Sequence, residues 1–168
     1  MEQFNGLYKL HYPIIYRMVS KYLVNRLEAE DVVQEAFIKL YLQYESGVIV
    51  EHPKTWLYKV ASNSCLNTLG RRKKTQPIDT ATELDDVINE GFELEIEEDE
   101  HRKIIMHALS TLKEREKLIV ILYSEGLSYK EISDISGVRF SSVSQSLSRA
   151  LEKLKPLLKK QYYEMLNK

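Results

Sequence analysis

The chain has 168 residues, 43% of them hydrophobic and 29% charged, with six glycines, four prolines and one cysteine, Cys65. That mix fits a soluble chain rich in long helices; it allows no internal disulfide, and no run nears the roughly 20 apolar residues of a membrane helix. The net charge of −1 conceals a segregation: residues 1–75 carry 11 Lys and Arg against 7 Asp and Glu, residues 76–100 carry none against 11, and residues 101–168 carry 13 against 7. Two basic blocks flanking an acidic one suit an anionic partner. The opening MEQFNGLYKL lacks the basic-then-apolar pattern of a secretion signal, so a cytoplasmic protein is expected.

In chain order, residues 4–44 read as helix. From Glu30 onward, Val33, Phe37, Leu40, Tyr41 and Tyr44 recur at three- and four-residue spacings on one face, with Asp31, Gln34, Glu35 and Lys39 off it. Glu45–Pro53, punctuated by Gly47 and Pro53, reads as a loop. Lys54 to about Leu69 resumes as helix with Leu57, Val60, Ala61, Ser64 and Cys65 inward, then runs into Arg71-Arg72-Lys73-Lys74. Thr75 to about Glu98 is acidic and aperiodic, a flexible or partner-ordered linker that should let its flanking domains take several arrangements in the free chain. Residues 100–166 return to helix. Ile104, Ile105, Ala108, Leu109 and Leu112 form one stripe; Leu118, Ile119, Ile121 and Leu122 form another, closed by Gly126 as C-terminal cap. Ser128 and Glu131 have capping-box spacing, with Leu127 and Ile132 placed as a hydrophobic staple. The expected fold is all-α: two small helical domains, 1–75 and 101–168, joined by an acidic linker at 76–100.

Residues 129–154 fit a helix-turn-helix. The first helix is about Tyr129–Ile135, the turn centres on Gly137, and the second helix starts near Ser141 and packs through Val143 and Leu147, with Leu151 one turn on. Its outer face offers Ser142, Gln145, Ser146 and Arg149, groups that can reach base edges or phosphates in a major groove. The plainer reading is a helical hairpin with a solvated polar face. Upstream, Trp56, Tyr58 and Lys59 open a helix, Asn63 lies a turn further, and a basic run closes it. Exposed aromatics beside such a run suit stacking on unpaired bases. The plainer reading makes Trp56 core and the basic residues a solvated helix end favoured by the dipole.

Two motif sets then coincide: Ala29-Glu-Asp-Val-Val-Gln-Glu-Ala-Phe-Ile-Lys-Leu-Tyr41 with Trp56-Leu-Tyr-Lys-Val-Ala-Ser-Asn63, and Leu109-Ser-Thr-Leu-Lys-Glu-Arg115 with Glu125-Gly-Leu-Ser-Tyr-Lys-Glu-Ile132 and Ser142-Val143 to Arg149-Ala150. Over nearly its whole length the chain resembles the extracytoplasmic-function (ECF) group of sigma factors, which keep only the second and fourth sigma domains. The resemblance implies that Asp31, Gln34 and Glu35 bind the β′ clamp helices of core RNA polymerase. It implies that the loop at about Glu45–Thr55, with Trp56, Lys59, Asn63, Arg71 and Arg72, recognises and opens the −10 element around a flipped base, an extraction that costs a few kcal/mol. It implies that the helix-turn-helix reads the −35 duplex through Arg139, Ser141, Ser142, Ser144, Gln145, Ser146 and Arg149. The partners are core polymerase, through the clamp helices and the β flap, promoter DNA and a cognate anti-sigma factor, with no membrane insertion. The linker is expected to thread the polymerase toward its active centre.

Departures from the family pattern carry expectations of their own. Asn67-Thr68 stands where an acid is common. Arg139 stands where a serine usually caps the recognition helix, so the cap is expected to move to Ser141 or Ser142. Ser144 and Ser146 replace basic residues, which predicts weaker, less salt-dependent −35 binding. Trp56-Leu57 replaces a tryptophan pair, so melting should demand a better-matched −10 sequence.

No enzyme, metal or cofactor is expected. His11, His52, His101 and His107 form no ligand motif with Cys65, His101 and His107 sit six apart and so on different helical faces, and there is no glycine-rich phosphate loop or nucleophile motif. The competing reading is a free-standing operator-binding regulator, which would dimerise on a palindrome.

Overall fold

The computed structural model describes the backbone of residues 2–75 and 96–166, with side chains over 4–71, 100–160 and 162–163. These residues form seven helices and no strand: α1 (Glu2–Tyr22), α2 (Arg26–Glu45), α3 (Pro53–Thr75), α4 (Ile96–Ser110), α5 (Glu114–Ser124), α6 (Tyr129–Ser136) and α7 (Phe140–Leu166). Most of the expected linker lies outside the described residues. The chain divides into two compact units, one built on α1–α3 and grouped with residues 134–137, the other on the rest of the helices that follow. No helix of the described residues is long and apolar enough to cross a membrane.

The helical span expected over 4–44 is divided into two helices. Asn25 breaks it: its side-chain oxygen accepts from the Glu28 amide at 3.1 Å, capping α2. Ala29, Val32, Val33, Ala36, Phe37 and Leu40 of α2 then pack inward with Ile15, Met18, Val19, Tyr22 and Leu23 of the preceding segment. Tyr41 and Tyr44, expected in the same stripe, are half-buried and meet Phe4 edge-on, with centroids 5.2 and 6.4 Å away. From α3, Leu57, Tyr58, Ala61, Ser64 and Cys65 are buried, while Val60 is only half-buried. His11 on α1 is buried, and its Nδ1 meets no hydrogen-bond partner among the described residues. Burial, and then the nearby Lys54 cation, push its imidazole below the ordinary 6.5.

In the second unit α4 opens at Ile96, inside the segment expected to be linker; the sequence is acidic there, at the end where the helix dipole favours negative charge. Its inward side is Met106, Ala108 and Leu109, followed by Leu112 after the helix. Ile104 is half-buried and Ile105 exposed, so the expected stripe is rotated. Helix α5 buries Leu118, Ile119, Ile121 and Leu122 as expected. Its Glu116 carboxylate accepts from Lys153 of α7, both oxygens at 2.9 Å, and from the Lys113 amide at 3.3 Å. The Lys153 hydrogen bond holds Glu116 below its ordinary 4.5. On α7 the buried stripe is Val143, Leu147, Ala150 and Leu154; Leu151, expected to continue it, is exposed. At about 100° per residue, position 151 has drifted some 80° from 143, whereas 150 and 154 return to within about 20°.

Candidate nucleic-acid interface

Three surfaces carry the residues singled out by sequence. The first is the outer face of α2. Asp31, Gln34 and Glu35 are all exposed on it, and Glu35 pairs with Lys39 at 2.8 Å, an exposed i,i+4 pair of little energetic weight. The same face exposes three large apolar side chains that sequence reasoning missed: Leu27 (71% exposed), Ile38 (58%) and Leu42 (57%). Positions 27, 31, 34, 38 and 42 fall within a sector of about 80° at helical pitch, so this is one continuous stripe. The signal was present in the sequence. Once 29, 32, 33, 36, 37 and 40 fill the core face, 27, 38 and 42 are left over.

The second surface is α3 and the loop before it. Helix α2 ends in a Schellman motif: the Gly47 amide donates to the Tyr44 carbonyl and the Val48 amide to the Gln43 carbonyl, both at 3.0 Å. The chain leaves with Val48 and Ile49 exposed, then re-enters helix at Pro53, which suits a first helical position. On α3, Lys59, Asn63 and Arg71 are exposed, and Trp56 is half-buried on the same side. Asn67, exposed four residues after Asn63 and four before Arg71, completes that stripe. The backbone of Arg72 is helical, but its side chain lies outside the described residues. Tyr58 was expected among the exposed aromatics and is instead fully buried, so it cannot stack on a base. An aromatic side chain fits core and stacking platform alike, and only the register against Leu57 and Ala61 settles which.

The third surface is the helix-turn-helix, α6 to α7. Its entry is built as the sequence indicated. A second Schellman motif closes α5: Gly126, at φ 80°, donates from its amide to the Tyr123 carbonyl, and the Leu127 amide donates to the Leu122 carbonyl. The capping box follows. The Ser128 amide and hydroxyl both donate to Glu131 at 2.8 Å, the Glu131 amide donates back to the Ser128 hydroxyl at 3.3 Å, and Leu127 and Ile132 are buried beside it. Between the helices, Gly137 takes φ 71°, a value costly for any residue with a Cβ. The Ser133 hydroxyl pins the turn by donating to the Val138 carbonyl at 2.7 Å.

The cap expected to shift to Ser141 or Ser142 does not shift. Helix α7 begins at Phe140, directly after Arg139, and the Ser142 amide donates to the Arg139 backbone carbonyl at 2.8 Å. A main-chain oxygen serves where the arginine side chain cannot accept, and the first turn tightens to i→i+3. Arg139, Ser141, Ser144, Gln145 and Arg149 are exposed, and Ser142 and Ser146 half-buried. Phe140 is 62% exposed among them and was not anticipated.

A capped, glycine-turned helix pair with a polar second helix, in a chain that also carries a three-helix unit, defines a two-part helical DNA-binding protein. Residues 7–75 match Sigma-70 region 2 and residues 102–154 match Sigma-70 region 4. The chain is 31% identical to RNA polymerase sigma factor SigV of Bacillus subtilis (90% of this chain, 88% of that protein) and 33% identical to the ECF RNA polymerase sigma-E factor of Haemophilus influenzae (92% and 89%). In fold it is similar to a Bartonella quintana sigma factor, RpoE, solved in complex with the anti-sigma factor NepR, with a TM-score of 0.71, 21% identity, and coverage of 95% of this chain and 98% of that one. The chain belongs to the ECF group of the Sigma-70 family, and with regions 2 and 4 both present it is a promoter-recognition factor for RNA polymerase.

Proposed function

We propose the following division of labour. Residues 1–75 bind core polymerase and open the −10 element, 76–100 form the acidic linker, and 101–168 bind the −35 duplex. The outer face of α2, through Asp31, Gln34 and Glu35 with Leu27, Ile38 and Leu42, meets the β′ clamp helices. The loop after α2 and the stripe of Trp56, Lys59, Asn63 and Arg71, extended by Arg72, receives the −10 strand. Arg139, Ser141, Ser142, Ser144, Gln145, Ser146 and Arg149 meet the −35 duplex, while the C-terminal unit also contacts the β flap. The protein acts in the cytoplasm, performs no bond chemistry, needs no metal or cofactor, and is held in check by an anti-sigma factor.

The observation that carries this reading is the outer face of α2. A free-standing operator-binding protein has no use for carboxylates, an amide and three bare aliphatic side chains on one stripe away from its helix-turn-helix. The test is run-off transcription with core polymerase, the purified chain and a pool of upstream genomic fragments. New starts that depend on the chain and vanish when Asp31, Gln34 and Glu35 are all changed to alanine are the expected result. Tight gel-shift binding of the chain alone to a symmetric site, with no new starts, would overturn it.

A further inference from the structure

We propose that Phe140 is a base-reading residue, its ring packing against the C5-methyl group of a thymine in the major groove of the −35 element. The inference rests on the assignment of α7 to that element and names the chemistry that gives it selectivity. Phe140 opens α7 and leaves 62% of its surface in solvent. Among the described residues no other ring touches it. The buried stripe of α7 starts three residues later at Val143, so the core does not use it.

The chemistry of its neighbours makes the position informative. Residues at the start of the second helix of a helix-turn-helix are the ones that meet base edges. Here those neighbours are Arg139, Ser141, Ser142 and Ser144. Serine hydroxyls donate or accept and so tolerate either base, while arginine reads guanine or neutralises phosphate. Thymine is the one base that shows a methyl group in the major groove, and an apolar side chain is what recognises it. Arg139 and Arg149 can read guanine and Gln145 adenine, so Phe140 supplies the contact selective for thymine that these polar groups do not. Ser144, one turn along and exposed beside it, is small enough to leave the ring room against the base.

The test uses holoenzyme assembled from core polymerase and the full chain, on a promoter duplex recovered in the run-off experiment. Each −35 thymine is replaced singly by deoxyuridine, which removes the methyl group and nothing else. Wild-type holoenzyme is expected to bind about fourfold more weakly at one position at least, the factor that one buried methyl group carries. Phe140→Ala holoenzyme is expected to be indifferent to the same replacement. Indifference of the wild type to every deoxyuridine, an equal loss in the Phe140→Ala protein, or a −35 element of G·C pairs alone overturns the proposal. A scrambled −35 element that leaves binding unchanged overturns the −35 assignment itself, which separates the two failures.

Discussion

Helices α2 and α7 solve the same packing problem and turn different chemistry outward. Each buries one stripe: Ala29, Val32, Val33, Ala36, Phe37 and Leu40 on α2, and Val143, Leu147, Ala150 and Leu154 on α7. The outer side of α2 keeps Leu27, Ile38 and Leu42 bare among its acids and amide; the outer side of the N-terminal turns of α7 shows Ser141, Ser144, Gln145 and Arg149 beside Phe140. Apolar area exposed in a stripe can return free energy only when another low-polarity surface covers it. Hydroxyls, amides and guanidinium groups match the edges and phosphates of a nucleic acid. The buried sides specify the fold, and the exposed sides specify which class of partner each helix takes.

The largest expected effect follows from the α2 side of that contrast. Changing Leu27, Ile38 and Leu42 together to alanine should weaken binding to core polymerase by about 3 kcal/mol, roughly 150-fold, if each loses on the order of 1 kcal/mol of apolar burial. The melting temperature of the free chain should hold, because all three are exposed before binding. A titration of labelled chain with core polymerase measures the first, and thermal unfolding the second. Unchanged affinity would mean that the stripe is not the polymerase contact and would remove the contrast with α7.

A smaller effect tests whether the two units rely on their caps equally. Asn25→Ala removes the oxygen that starts α2, and Ser128→Ala removes the hydroxyl that starts α6; each should cost about 1 kcal/mol of its own unit's stability. Hydrogen exchange, resolved by segment, assigns each loss to a unit. The expected pattern is faster exchange in α1–α3 for the first variant and in the helix-turn-helix for the second. Loss across the whole chain from either one would show that the units unfold together.

These two caps also mark what the sequence made legible. Ser128 to Glu131 is a four-residue pattern flanked by apolar residues, and such local signals need no knowledge of tertiary packing. Gly126 and Gly137 were readable for the same reason, since positive φ is a backbone demand visible in a single residue. The place of the break at Asn25 was not legible, because apolar spacing continues on both sides of it and three residues barely disturb that pattern. Phase errors explain the rest. Leu151 for Ala150, and Ile105 for Met106, are misplacements of one residue, about 100° of helix, made where size suggested burial and rotation decided otherwise. Of the candidate site, the charged and polar members were legible from type. Leu27, Ile38, Leu42 and Phe140 were not, because an apolar residue is assumed buried until a core is drawn that leaves it out.

The smallest expected effect separates the units by their response to acid. In the first unit, His11 has a folded pKa below its ordinary 6.5, first because burial disfavours the imidazolium and then because of Lys54. Below pH 6.5 the unfolded chain therefore binds the proton more readily than the folded one, and the unit loses stability as pH falls from 6.5 toward the folded value. In the second unit, Glu116 is held below 4.5 by its hydrogen bond from Lys153, so its contribution is whole above pH 4.5 and lost only as pH falls through the folded value. The carboxylate is partly exposed, which screens and shrinks that contribution. Trp56 is the chain's one tryptophan and sits in the first unit, so its fluorescence reports that unit alone. Denaturant midpoints from Trp56 should decline as pH falls below 6.5, and His11→Gln should flatten the decline. Amide protection in α5 and α7, corrected for the pH dependence of intrinsic exchange, should stay level just below pH 6.5 and fall only in stronger acid, less steeply in Glu116→Gln. A decline in the Trp56 signal that His11→Gln leaves untouched would place the proton elsewhere in the α1–α3 core and deny the buried imidazole its part in setting the first unit's stability apart from the second's.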